Sequence, residues 1–276
     1  MTYCVAVKLN AGLVFLSDSR TNAGLDQIST FRKAMVYEQP GDRFITLLSA
    51  GNLSVSQSVR EILQTHELQD HKGEPPTTIW NATSMFDVAR VLGDAIRHVF
   101  HRDGDALKAA GVDFNVSMLL GGQVKGEAMR LFQVYSPGNF IEATADTPFF
   151  QIGESKYGKP VLDRVLTPAT SLADAAKCVL VSMDSTLKSN LSVGLPLDMV
   201  IYKAGELQSQ TVLCIDEQNP YFQMLRNSWG DSLRAAFDSL EQPDWSRQPS
   251  EDNPLRSTRN AAMALKKITT PAEKNI

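Results

Sequence analysis

The chain opens with two short apolar runs, YCVAVKL over 3–9 and LVFLSD over 13–18, separated by Asn10, Ala11 and Gly12. Runs rich in Val, Leu and aromatic side chains, joined by a glycine-bearing turn, read as a tight hairpin. No other feature constrains the fold as much, because a core strand begins one residue after Thr2. Thr2 is then either a small residue that precedes a strand, or the working part of the terminus itself. The hairpin theme repeats in KAMVYE (33–38) and RFITLLSA (43–50) about Pro40-Gly41-Asp42. Four strands therefore come early.

Helical periodicity takes over at 53–68, where Leu53, Val59, Ile62 and Leu63 share a face. A polar loop near Pro75-Pro76 leads to a second helix over 84–100, with Met85, Val88, Val91, Leu92, Ile96 and Phe100 as its apolar stripe. Strands resume at 114–120 and 129–135, separated by a turn at Gly121-Gly122. A short strand or turn near 140–152 precedes helices at about 156–165 and 171–188. Strands at 197–203 and 208–214 follow. The order is sheet, two helices, sheet, two helices, sheet. It predicts an α+β fold with two antiparallel sheets packed face to face and a helical layer outside each, a four-layer αββα sandwich. Residues 219–240 read as one more amphipathic helix, interrupted at Gly230. The polar stretch 241–276 reads as a surface tail with a short helix at 258–268. The organisation expected is a domain over 1–215 and a helical extension with tail over 216–276.

Composition removes several classes. A net charge of −4 over 276 residues argues against nonspecific nucleic-acid binding. Cys4, Cys178 and Cys214 have no metal-binding spacing and leave an odd thiol, so the expectation is a reducing compartment without a disulfide framework. No basic segment precedes an apolar one in the first twenty residues, and no run reaches a membrane span. The expected location is cytoplasmic. The four histidines form no His-Glu-x-x-His motif, and GESKYG is not Gly-x-Ser-x-Gly. No metal or cofactor is expected, and with no Gly-rich nucleotide loop any ATP-dependent step belongs to a partner.

An N-terminal threonine unites two roles in one residue. Its hydroxyl is the nucleophile, and its own α-amine, with an unperturbed pKa of about 8, serves as the base. The amine is free only after Met1 is removed. Asp18, at the end of the second strand, returns close to Thr2 if the two strands pair. Lys33 stands at the start of the next strand, where a lysine beside the Thr2 oxygen lowers the cost of an alkoxide, and Asp18 would keep that lysine charged and oriented. Read singly, Asp18 and Arg20 are a surface pair and Lys33 is a strand-edge charge.

Taken together, Thr2, GLVFLSDSRTNAG (12–24), Lys33 and SAG (49–51) resemble the proteasome β-subunit superfamily of N-terminal nucleophile hydrolases. The opening MTYCVA, with SDSRTNAG and STFRK, is more similar still to its bacterial branch, the ancestral β-subunit type. The likeness covers about 2–215, and 219–276 belongs to the branch. It implies that Thr2 is the nucleophile, Asp18 orients the lysine and the terminus, Lys33 sits beside the nucleophile, and the Gly51 N–H donates to the oxyanion. It further implies that Asp184 supports the terminal amine. Ser192, followed by Val193-Gly194, is the candidate serine beside it, although the family's Asp-x-x-Ser-Gly register is absent and Leu187 falls three residues after Asp184. IGESKYG (152–158) resembles the family's Gly-Ser-Gly loop, with Glu154 in place of a small residue.

The resemblance implies hydrolysis of peptide or related amide bonds through an acyl-enzyme, with methionine aminopeptidase as the maturation partner because no long propeptide precedes Thr2. The alternatives are a self-assembling scaffold with weak or no proteolysis, and a dedicated amidase or transpeptidase for one modified peptide, working with peptide-ligase-like partners. Self-association into an open ring or helical spiral, with 219–240 as a wedge between neighbours, is expected on the same ground.

Overall fold

The computed structural model describes residues 2–22, 28–65 and 77–242. The first run forms β1 (Tyr3–Leu9) and the second β2 (Gly12–Asp18), paired antiparallel with Cys4 opposite Ser17 and Leu9 opposite Gly12. All of β2 is buried, because both its faces are covered. Val14 and Leu16 point to a helical layer, while Leu13 and Phe15 point to the other sheet. A strand covered on both sides needs no polar alternation, which is why this run reads as continuously apolar.

A small ribbon follows, β3 (Arg20–Asn22) with β4 (Ile28–Thr30). It is too short and polar to be legible in the sequence. Next come β5 (Ala34–Gln39), β6 (Arg43–Gly51) and α1 (Leu53–Thr65). The Pro75-Pro76 loop and residues 66–68 lie outside the described residues. Ser84 caps α2 (Met85–Ala109), its side chain accepting from the Asp87 N–H. This helix runs nine residues past the expected end, and Phe100 is half exposed rather than part of the buried stripe.

Gly121 and Gly122 do not turn the chain. They lie inside β7 (Val116–Val124), and the reversal comes just after it. A Cβ on Gly121 would stand 2.7 Å from Phe15 Cζ, and one on Gly122 would strike the Phe44 carbonyl. The glycines are there for close approach between and within sheets, which sequence cannot distinguish from a turn. Then follow β8 (Arg130–Val134), β9 (Phe140–Glu142), β10 (Phe149–Gly153), α3 (Lys159–Val165), α4 (Leu172–Ser189), β11 (Leu197–Lys203), β12 (Thr211–Ile215) and α5 (Pro220–Asp238). Helix α5 continues through Gly230 without a break. A single helical glycine costs about 1 kcal/mol, too little to interrupt a helix nineteen residues long.

The strands form two five-stranded antiparallel sheets, ordered β10-β1-β2-β11-β12 and β5-β6-β7-β8-β9. Between them lies a layer that includes Cys4, Phe15, Phe44, Leu119, Val200 and Tyr202. Phe44 and Tyr202 stack across it at 4.3 Å. Helices α1 and α2 cover the second sheet through Val59, Leu92 and Ile96. Helices α3 and α4 cover the first through Leu162, Val179 and Met183. The predicted αββα sandwich is the architecture observed. Each fully buried aliphatic side chain contributes about 1.5–3 kcal/mol, so three apolar layers stabilise a hairpin whose end carries Thr2.

Contacts divide the chain into two compact units, Met1–Trp229 and Gly230–Ile276. The layers belong to the first. Of the second, the described residues include the last part of α5, with Leu233 and Phe237 exposed. The helix expected at 258–268 lies outside the described residues, as does Gly24. No described helix is long and apolar enough to cross a membrane.

Candidate active site

The pairing of β1 with β2 and β10 decides where the terminus lies. Tyr3 is opposite Gly153, and Asp18, the last residue of β2, reaches the backbone just after Thr2. The Tyr3 N–H donates to Asp18 Oδ1 at 3.0 Å. Lys33 Nζ donates to the same oxygen at 2.6 Å and to the Arg20 carbonyl at 2.7 Å. The Gly194 N–H donates to Asp18 Oδ2 at 3.3 Å. Asp18 thus joins the start of β1, the residue before β5 and the segment before β11. Burial pushes its carboxyl up from the ordinary value, while Lys33 and the two peptide N–H groups pull it back down.

Asp18 is fully buried and Lys33 is 5% exposed. A charged pair this deep persists where each member meets hydrogen-bonding partners. Ser49 secures the lysine's backbone, its N–H donating to the Lys33 carbonyl at 3.1 Å.

Thr2, Lys33, Ser49, Gly51, Gly153 and Glu154 line one cavity of about 330 Å³, a size that suits a small ligand or a side chain of a larger one. Gly51 ends β6 with a φ of +104°, a left-handed conformation open to glycine, and a Cβ there would strike the Asn115 carbonyl. The Glu154 N–H donates to the Thr2 carbonyl at 2.7 Å. Tyr3 turns the other way. Its hydroxyl lies 2.6 Å from Ser182 Oγ on α4, and Gln151 Nε2 donates to it at 2.6 Å and to the Ser155 carbonyl at 3.3 Å. This buried network ties β1 to α4 and to the segment that carries Glu154.

Of the six residues singled out in sequence, the structure brings four together: Thr2, Lys33 and Gly51 in the cavity wall, and Asp18 behind them. Asp184 is elsewhere. It lies within α4, 1% exposed at its side chain, with Arg226 Nε of α5 at 2.7 Å and Lys188 Nζ at 3.3 Å. It does not line the cavity, because at its position the α4 face turns toward α5. Ser192 does not line the cavity either; its N–H donates to Asn190 Oδ1 at 2.9 Å. Its segment nevertheless reaches Asp18 through Gly194, and Arg20 Nη1 holds that segment by donating to the Leu191 carbonyl at 3.0 Å.

The sequence reading missed Gly194, Ser49 and the Arg20 carbonyl, all backbone-mediated contacts. Only the glycine in SVG (192–194) hinted at one. Among the described residues no group of three His, Cys, Asp or Glu side chains is placed to hold a metal ion.

No protein-family model matches the chain, and no curated protein matches it. Solved structures do. Anbu (ancestral beta-subunit) from Yersinia bercovieri is 51% identical with a TM-score of 0.81, over 89% of this chain and 100% of that one. Anbu from Hyphomicrobium sp. strain MC1 is 49% identical with a TM-score of 0.78, over 88% and 99%. The helical assembly of the Anbu complex from Pseudomonas aeruginosa contains a chain 43% identical with a TM-score of 0.82, over 89% and 100%. With half the residues shared along nearly the whole length of such a relative, and the same layered fold, the chain belongs to the Anbu family, ancestral β-subunits within the proteasome β-subunit superfamily of N-terminal nucleophile hydrolases.

Proposed function

We propose that the protein is a self-assembling, proteasome-like subunit, and that its cavity is an acyl-transfer site that comes into use once Met1 is removed. Helix α5 carries the assembly reading. Phe222 and Leu225 are buried on the first sheet's outer layer, with Trp229 packed beside them. The same three-to-four spacing continues to Leu233 and Phe237, which are 52% and 68% exposed. An apolar stripe left open over half a helix suits a protein partner. The Pseudomonas aeruginosa relative forms a helical assembly, and a patch that meets a different patch on the next copy repeats head to tail into a ring or spiral. In sedimentation velocity, the Leu233→Asp/Phe237→Asp double variant is expected to run as single protomers under conditions where the unchanged protein assembles. Equal sizes for both would refute this use of α5.

The Asp18–Lys33 pair behind Thr2 carries the second reading. Thr2 Oγ attacks an amide carbonyl carbon, and the α-amine takes the hydroxyl proton. The Gly51 N–H and the Lys33 ammonium face the oxyanion. The C–N bond then breaks, the departing amine receives that proton, and water hydrolyses the ester on Thr2. Methionine aminopeptidase is the partner this requires. Intact mass separates processed from unprocessed protein. A peptide screen on the processed form, with Thr2→Ala as control, is expected to find turnover that the control lacks; equal turnover in both would end the reading.

A further inference from the structure

Glu154 is a charge in the cavity wall that neither reading uses. Its peptide N–H is bonded to the Thr2 carbonyl at 2.7 Å. A Cβ placed on the neighbouring Gly153 would stand 3.5 Å from Thr2 Cα. The two backbones run in contact, and successive Cα atoms are about 3.8 Å apart, so the Thr2 nitrogen is within a glutamate side chain's reach of Glu154. Oε2 of Glu154 is buried and has no hydrogen-bond partner among the described residues. Among the described residues the cation that reaches it is Lys156 Nζ at 3.7 Å, on a side chain that is 70% exposed and also stands 5.0 Å over the Tyr157 ring. A buried carboxylate oxygen held so loosely is costly. It leaves a place for a further donor at Thr2, whose peptide N–H does not bond this oxygen.

We propose that Glu154 is the counter-ion of the Thr2 α-ammonium created when Met1 is removed, and that it holds this amine protonated at neutral pH, so that acyl transfer starts only as the pH rises. The pairing stands on geometry, and its catalytic consequence rests on the acyl-transfer reading. Among the described residues, the other charged and titratable groups around the terminus have partners or are neutral. Asp18 on β2 is paired with Lys33. Arg20 on β3 turns its guanidinium to the Leu191 carbonyl. Cys4 on β1 is a neutral thiol, pushed far up by burial. What α1 and β7 add to the cavity wall is uncharged, including Leu53, Ser56 and Ser117. An α-amine titrates at about 8 when unperturbed, and a carboxylate at ion-pair distance raises it by about one unit. Protonated, it has no lone pair to receive the Thr2 Oγ proton.

The test is the titration of the Thr2 amine itself. Processed protein, its Thr2 terminus verified by intact mass, is labelled with trace acetic anhydride across a pH series, and the N-terminal peptide is quantified by mass spectrometry. The midpoint is expected near 9, falling by about one unit in Glu154→Gln and rising in Lys156→Ala, which removes a competing cation from an exposed position. A midpoint that Glu154→Gln leaves in place overturns the proposal, as does a fall in Lys156→Ala. A β-lactone probe then reports on Thr2 Oγ. Ester formation that begins about one pH unit lower in Glu154→Gln supports the consequence. No ester in either protein at any pH defeats the acyl-transfer reading, and the amine titration alone then judges the ion pair.

Discussion

Asp18 and Lys33 show how one buried pair organises a terminus. The carboxylate takes the Tyr3 N–H on one oxygen and the Gly194 N–H on the other, so the position of Thr2 and the charge of Lys33 are held by the same group. Removing the lysine leaves a buried anion with only peptide donors. Lys33→Met is therefore expected to destabilise the fold by about 3–5 kcal/mol, read as a lower midpoint in urea. The double variant Asp18→Asn/Lys33→Met should recover part of the loss, because no charge then remains buried. Equal destabilisation by single and double variants would mean that the lysine's packing, not its charge, is what matters. Both residues were legible in sequence, through the hairpin that returns Asp18 to Thr2 and through the family resemblance. Gly194 was not, since a peptide N–H leaves no mark on residue type.

At the scale of the elements, Asp184 matters through α5. Its carboxylate, buried in α4, takes Arg226 Nε at 2.7 Å and fastens the first half of α5 beside Phe222 and Leu225. Arg226→Met leaves that carboxylate with Lys188 alone. The expected cost is about 2 kcal/mol, and the loss should be local. Amide exchange should quicken over 220–229 while β1 and β2 keep their protection; unchanged exchange in α5 would show that its apolar contacts suffice. The family resemblance implied a catalytic neighbour for Asp184, and helix periodicity does not correct it, because periodicity says which face a residue shares, not which element that face meets. Gly121 and Gly122 failed for a related reason. A glycine pair marks a turn or a close approach with equal force, and the contact with Phe15 depends on how the two sheets pack.

The whole molecule separates its three thiols by depth. Cys4 lies between the sheets and Cys178 on the buried face of α4, whereas Cys214 is exposed on β12. Burial pushes the Cys178 thiol up to about 11 and Cys4 higher still. Thiolate is the reactive form, so iodoacetamide at neutral pH should add once to the native protein, at Cys214, and three times after denaturation. A second native adduct at Cys4 would mean that the sandwich opens at the end where Thr2 lies.

The sequence by itself determined the kind and order of the principal elements, the pairing of the opening hairpin and the four-layer architecture. Apolar periodicity records how each element is covered, and that record is local. The family resemblance, rather than periodicity, carried the cavity as far as Thr2, Asp18, Lys33 and Gly51. Tertiary structure alone decided that Asp184 meets Arg226, 42 residues away, that Gly194 completes the coordination of Asp18, and that Glu154 lies against Thr2. Each depends on strand register and on the packing of one layer over another, and no stretch of sequence carries that information, because the free energy that selects it comes from contacts between distant segments.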